Sequence, residues 1–179
     1  MERFQVYRER EIAFRKIAKG AIPDTVIDEI IGNTDFLTAP ASTRFHGAYE
    51  GGLFDHSYTV TEVLLDYTKR LGLAWEDEKS PIRVGLFHDF CKLDSYVVSE
   101  DGSYSYNRNQ LFSGHGMKSA VIAQGFMGLN REEIMCITYH MGAYTEKEEW
   151  EYYSRAVEKY PNVLFTHTAD MFASKVLEV

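Results

Sequence analysis

The sequence predicts an all-α fold, a bundle of helices with one small β excursion. Two observations carry this. Apolar residues recur at helical spacing through most of the 179-residue chain. Gly and Pro punctuate those stretches where one helix stops and the next starts. A third observation marks the exception: between Tyr96 and Tyr106, short β-favouring runs flank Asp101-Gly102, the chemistry of a tight hairpin turn.

Taken in order, Arg3 to Lys19 puts Phe4, Tyr7, Phe14 and Ala18 on one face, an amphipathic helix that ends at Gly20. Pro23 and Asp24 open a second short helix that runs to Gly32. Thr38 to Gly52, TAPASTRFHGAYEGG, is rich in turn residues and reads as a loop. From Leu53 to Leu71 the positions Val60, Val63, Leu64, Tyr67 and Leu71 keep helical spacing, with His56 in the first turn. Pro81 opens another helix, with Ile82, Leu86, Phe87 and Phe90 near one face and His88 and Asp89 towards its end. A small hairpin or ordered loop follows near residues 96–106. Helices return from His115 to Met127, Arg131 to Met141, Glu146 to Lys159 and Asn162 to Leu177, with Pro161 breaking the last two. The expected organisation is one domain over residues 1–179, in which helices of residues 1–37 pack on a core formed by residues 44–179.

Apolar content of 45% and charged content of 26% are ordinary for a soluble globular protein. The net charge of −8 argues against a broad electrostatic footprint on duplex nucleic acid. It leaves room for a small anionic substrate in a locally positive, metal-lined pocket. Cys91 and Cys136 form neither a CxxC pair nor a disulfide framework, and read as small buried residues in a reducing compartment. MERFQVYRER is too charged for a signal peptide, and no apolar run approaches the roughly 18 residues of a membrane span. A cytoplasmic protein is the expectation. Phe4 and Tyr7 can pack on the bundle or on another copy, so the oligomeric state stays open.

The string VGLFHDFCK, Val84 to Lys92, sets a His and an Asp side by side in an apolar run. Such a pair is either satisfied within a core or holds something charged. Singly, each of the six histidines (His46, His56, His88, His115, His140 and His167) reads as an ordinary core or surface residue. Jointly, His56, His88-Asp89, His115, His140 and Asp170 fall about one to each successive helix, where a bundle can bring them to one interior point. Imidazoles and carboxylates gathered there are costly to bury unless a cation compensates them. Four His and two Asp suit two divalent transition ions, with Mn, Fe, Ni, Co and Zn all compatible.

This order, His, His-Asp, His, His, Asp, resembles the HD superfamily of metal-dependent phosphohydrolases, from about Arg44 to Val179. FHGAYEGGLFDHS (Phe45 to Ser57) is similar to the H-x-x-Y-x-G-G-L-x-x-H-S/T segment of HD domains in some 3′–5′ exoribonucleases and bacterial or prophage HD proteins. GHGMKSA (Gly114 to Ala120), ITYHMG (Ile137 to Gly142) and HTADMFASK (His167 to Lys175) resemble later segments of the same branch. The resemblance implies an HD-domain helical bundle with inward-pointing ligands. His56, His88, Asp89 and Asp170 would hold one ion, and Asp89 would bridge to a second completed by His115 and His140. It implies two divalent ions (Mn, Fe, Ni, Co, Zn or Mg) that acidify a shared water for attack on phosphorus. Asp89 and Lys92 are then the catalytic candidates, Lys92 matching the Lys of the HDxxK form.

Substrate-side candidates are Arg44, His46, Lys92, Lys118 and His167. Lys92, on a continuing helix, would project near Asp89 towards a phosphate or be an ordinary solvated Lys. Lys118 carries the same two readings. Arg44 and His46 line the mouth or pack their loop. His167, one turn before Asp170, orients a neighbouring ligand or is simply buried. Tyr96, Tyr104 and Tyr106 cover the pocket and stack on a base, or only pack. The leading function is hydrolysis of a phosphate ester of a nucleotide or a nucleic-acid end. The alternatives are an HD-fold di-iron oxygenase with the same ligand order and a non-catalytic nucleotide-binding HD module. Partners are a small anionic phosphate compound, with no membrane.

Overall fold

The computed structural model describes residues 2–99 and 102–179, and of residues 2–4 the backbone alone. Eight α-helices are present among them: α1 (Glu2–Ala18), α2 (Asp24–Asn33), α3 (Gly52–Leu71), α4 (Ser80–Phe87), α5 (Gly116–Phe126), α6 (Arg131–Thr138), α7 (Trp150–Lys159) and α8 (Asn162–Lys175). Strands β1 (Tyr96–Val98) and β2 (Tyr104–Tyr106) pair antiparallel, Tyr96 opposite Tyr106 and Val98 opposite Tyr104. The mostly helical fold with one small hairpin is therefore as the sequence predicts. Asp101 of the predicted turn and the side chain of Phe4 lie outside the described residues. No described helix is long and apolar enough to cross a membrane.

Helix α3 packs against α4 and α8, and α6 packs against α4, α5 and α8. Helix α1 covers α3 and α4, and α2 lies against α1 and α5. The amphipathic faces explain this: Phe14 and Ala18 of α1, Ile27 and Ile30 of α2, and Val60 and Leu64 of α3 are all fully buried. An aromatic chain runs through the core. Phe14 meets Phe36 edge-on with ring centroids 5.4 Å apart, Phe36 meets Phe90 at 5.1 Å, and Phe90 meets Phe87 at 4.6 Å. Edge-to-face packing of this kind adds to plain burial. Phe87 and Phe90 flank His88-Asp89, so the ionisable pair rests on rigid apolar ground.

Buried acids tie the frame together. Asn130 and Glu133 form a reciprocal cap at the start of α6. Glu133 also accepts from Ser80 Oγ at 2.8 Å and Arg83 Nη1 at 2.9 Å, and Glu132 accepts from Asn162 Nδ2 at 2.8 Å. Helix α6 is thereby fastened to α4 and α8.

The structure departs from the expected helix ends at the places that matter most. Helix α4 stops at Phe87 instead of carrying His88 and Asp89, and a 3-10 turn follows at Phe90–Leu93. Helix α6 stops at Thr138, two residues before His140, and α5 starts only after His115. At two of these ends one physical reason is visible. His88 Nδ1 bonds the carbonyl of Gly85 at 2.8 Å, and His140 Nδ1 bonds that of Ile137 at 2.7 Å. Each ring turns back three residues onto a carbonyl that the ending helix leaves without an N–H donor. Shorter revisions occur after Gly142, where 3-10 turns at Gly142–Tyr144 and Lys147–Glu149 precede α7.

Gly85 is what lets α4 lie against α3. A Cβ there would stand 2.4 Å from Thr61 Oγ1 and 2.6 Å from Thr61 Cα. Gly85→Ala is expected to destabilise the protein by about 1–3 kcal/mol through overpacking, read as a lower urea midpoint with unchanged slope.

Candidate metal centre

Six side chains predicted from sequence meet at one place. His56 comes from the second turn of α3 and Asp170 from the middle of α8. His88 and Asp89 follow α4, His115 precedes α5 and His140 follows α6. His56 Nε2 lies 3.2 Å from His88 Nε2, 3.2 Å from Asp170 Oδ1 and 3.5 Å from Asp89 Oδ2. His115 Nε2 is 2.9 Å, and His140 Nε2 3.6 Å, from Asp89 Oδ1. His56, His88, Asp89 and His140 are buried, whereas His115 is partly open to the cleft.

The other ring nitrogens decide what these Nε2 atoms can be. His56 Nδ1 sits 2.8 Å from the main-chain oxygen of Val179, and His88 and His140 hold the carbonyls already described. A carbonyl only accepts, so each Nδ1 carries the hydrogen. In the neutral ring Nε2 is then a bare lone pair, the tautomer suited to a metal. His115 differs, because its Nδ1 partner is Cys91 Sγ at 3.1 Å.

Asp89 is 2% exposed. Burial alone would raise its pKa, but the Lys92 ammonium and then His88 outweigh burial and hold it well below the usual carboxylate range. Lys92 Nζ is 2.6 Å from Asp89 Oδ2. Burial alone would lower the Lys92 pKa, and Asp89 reverses that, so the ammonium stays charged. The continuing helix expected to bring Lys92 near is absent. The 3-10 turn does the same work, since its residues eclipse at three-residue spacing. Burial is the largest single influence on Asp170 and opposes its ionisation, but His56, His88 and His140 together outweigh it and lower its pKa. For His88, burial is the largest influence and lowers the pKa.

Asp89 Oδ1 and His140 Nε2 are buried and make no hydrogen bond. His115 Nε2 is near Asp89 Oδ1 but lacks hydrogen-bond alignment, so proximity does not satisfy that oxygen. Unpaired buried groups of this kind are costly, and a cation satisfies both. Three overlapping groups could hold an ion: His56, His88 and Asp170; His88, Asp89 and His140; Asp89, Cys91 and His115. Imidazole nitrogens and carboxylate oxygens suit divalent ions. The residues present fit a metal.

The centre opens into a cleft of about 550 Å³. Asp89, His115 and Asp170 are at its floor and Lys92 beside them. His46 also lines it, its ring centroid 5.1 Å from that of His56, and burial first, then His56, pushes its pKa down to about 4. Tyr96 and Tyr106 line one wall, while Tyr104 does not.

Three of the substrate-side candidates take a packing or orienting alternative, and none of the three lines the cleft. Arg44 is exposed and does not line the cleft, although its loop neighbours Thr43 and Phe45 do. Lys118 is buried away from it, donating to Gln110 Oε1 at 2.6 Å and pairing with Asp94. His167 reaches the carbonyl of His140 at 2.8 Å, where it steadies the main chain behind that ring. Two residues went unread. Cys91, taken as a plain buried thiol, contacts His115, and burial pushes its pKa up to about 12. Lys175 lines the cleft. No local spacing announced it, since five positions put Lys175 well around α8 from Asp170.

Two outcomes are expected. Chelator-stripped protein should gain thermal stability with Mn, Co or Zn, by about 2.7 kcal/mol at a hundredfold excess over Kd, and Asp89→Ala should lose the gain; midpoints indifferent to every ion would count against a metal centre. Cys91→Ala leaves His115 Nδ1 unpartnered and should weaken ion binding about 10–100-fold, with Cys91→Ser restoring it in a metal titration.

No family model matches the chain, and no solved structure matches it. Over 102 residues, 55% of the chain, it is 33% identical to the dihydroneopterin 2′,3′-cyclic phosphate phosphodiesterase of Methanocaldococcus jannaschii. The chain spans 39% of the length of that relative. Part of the chain is thus similar to an enzyme that hydrolyses a phosphate ester, in the same molecule whose buried His and Asp groups are arranged as a metal could be held.

Proposed function

We propose that this chain is a single HD-type domain that hydrolyses a phosphate ester of a small, nucleotide-type substrate with the aid of two divalent metal ions. The observation that carries the reading is the pair of unsatisfied buried atoms, Asp89 Oδ1 and His140 Nε2, amid ring nitrogens stripped of hydrogen by their main-chain partners. His56, His88, Asp89 and Asp170 would hold one ion; Asp89, His115 and His140 the other. Bound there, such ions supply Lewis acidity towards phosphoryl oxygens and an acidified water.

The chain's own residues do the rest. Main-chain oxygens at Gly85, Ile137 and Val179 aim the rings. Lys92 keeps Asp89 ionised, and an ammonium has three donors, so pairing with Asp89 leaves donors for a phosphate oxygen. His46 is neutral near pH 7, since its pKa is about 4, and adds no charge to the mouth. In the reaction water adds oxygen to phosphorus, the P–O ester bond breaks, and the leaving oxygen ends protonated. A cyclic diester would open to a monoester. The named activity of the relative supports this branch, and a cleft of about 550 Å³ is in the range of small-molecule sites. A small anionic partner and a cytoplasmic setting belong to the same reading.

The test uses protein stripped by chelator and reloaded with Mn, Co, Ni or Mg, assayed on bis(p-nitrophenyl) phosphate and 2′,3′-cyclic nucleotides. Reloaded protein should cleave at least one ester, and Asp89→Ala should lose about 10²–10³-fold or more. Oxygen uptake by iron-loaded protein without ester cleavage would move the assignment to oxidation. Nucleotide binding by stripped protein, with no turnover on any metal, would make it a binding module.

A further inference from the structure

Among the described residues, the three most exposed aromatic side chains are Phe45 at 78%, Tyr106 at 67% and Tyr144 at 65%. All three line the same cleft, the one floored by Asp89, His115 and Asp170. They arrive from separate parts of the fold: the loop before α3, strand β2 and the 3-10 turn after His140. Large rings are normally spent on burial. Three left open around one mouth, from three unrelated segments, present flat apolar faces where a ligand enters. Tyr96, its ring centroid 5.4 Å from that of Tyr106, backs one of them.

The charge on the same wall is equally selective. Helix α8 turns Asp170, Met171, Ser174 and Lys175 towards the cleft, the i, i+1, i+4 and i+5 positions of a wide arc. Lys175 therefore stands about 7.5 Å along the helix axis from Asp170. The charge of Lys92 is already balanced by Asp89, although it keeps donors to spare. No carboxylate among the described residues pairs with Lys175, so of the two lysines lining the cleft it is the one with its charge unspent.

We infer that the cleft takes a phosphate ester attached to a planar heteroaromatic ring, with Phe45, Tyr106 and Tyr144 meeting the ring and Lys175 the phosphate charge. The inference rests on the hydrolase reading for the reacting group and on the rim for the rest of the ligand. The metal floor would recognise phosphate, and the rim residues distinguish an ester with a flat ring from one without.

The experiment compares a ring-bearing ester, adenosine 2′,3′-cyclic phosphate, with a ringless one, glycerol 1,2-cyclic phosphate, on metal-loaded protein. Wild type should prefer the ring-bearing ester in kcat/KM. Tyr106→Leu and Tyr144→Leu keep apolar bulk and remove the flat face; each should narrow that preference about 3- to 10-fold, mainly through KM. Tyr152→Leu, an exposed ring that does not line the cleft, should leave the preference as it is. Lys175→Met should raise KM for both esters about 10-fold and flatten its salt dependence. Equal rates on the two esters, or a preference untouched by the tyrosine variants, would overturn the ring assignment, and an unmoved KM in Lys175→Met would overturn that of the lysine. If metal-loaded wild type cleaves neither ester, the hydrolase reading is what has failed. The rim is then read from adenosine monophosphate binding by tyrosine fluorescence: weakening in Tyr106→Leu supports the assignment, and unaltered binding overturns it.

Discussion

A carboxylate with 2% of its surface exposed has to find its compensation within the protein, because water cannot reach it. Asp89 meets that requirement halfway. One oxygen takes the Lys92 ammonium at 2.6 Å, and the other faces imidazoles without a hydrogen bond. Lys92 balances the charge, but Asp89 Oδ1 and the facing ring nitrogens are left without a partner, which is where a cation could be held. Removing Lys92 or crowding the rings apart would leave a charge stranded in apolar surroundings.

The rings are aimed by the backbone, which makes the centre a product of where helices end. At α4 and α6 the histidine that would serve the centre also caps its own helix, binding the carbonyl three residues back. Two tasks therefore fall to one side chain. The cap fixes the ring's tautomer and direction, and the ring's demand for that carbonyl accompanies the end of the helix. After α4 the chain tightens into a 3-10 turn, which brings Lys92 back over Asp89. A helix that ran on through Asp89 would have its residues on a different angular spacing.

What could be read from the residues follows from this. Helical periodicity located every helix, and Asp101-Gly102 between short β-favouring runs located the hairpin, because both patterns are local. The convergence of His56, His88, Asp89, His115, His140 and Asp170 was legible as an ordered set whose burial needs a common compensating charge. Helix ends were not legible where a ring competes for a carbonyl, since that contact depends on the fold around it. The reach of long cations was left open for a related reason. Lys118 is drawn to Asp94 and Gln110, partners assembled only by the fold, and Arg44 sits in a loop with no period to aim it. Lys175 was overlooked because five positions along α8 put it well around the helix from Asp170, and only the shape of the cleft brings both to its wall. Cys91 looked inert because burial is the ordinary fate of a lone thiol.

The contact between His56 Nδ1 and the main-chain oxygen of Val179 joins residues 123 positions apart. It is made by a short segment that leaves α8, turns at Glu178 through a left-handed backbone (φ 59°) and is held by Val179 N on the Ala173 carbonyl. Val176, Leu177 and Glu178 are exposed, so this segment is among the cheapest to open locally. The aromatic core under His88 and Asp89 does not depend on it. A molecule in which only this segment has lifted is thus still folded by any bulk measure, yet one imidazole has lost its rudder. Local opening of this segment would change how that ring is aimed long before it registered as unfolding.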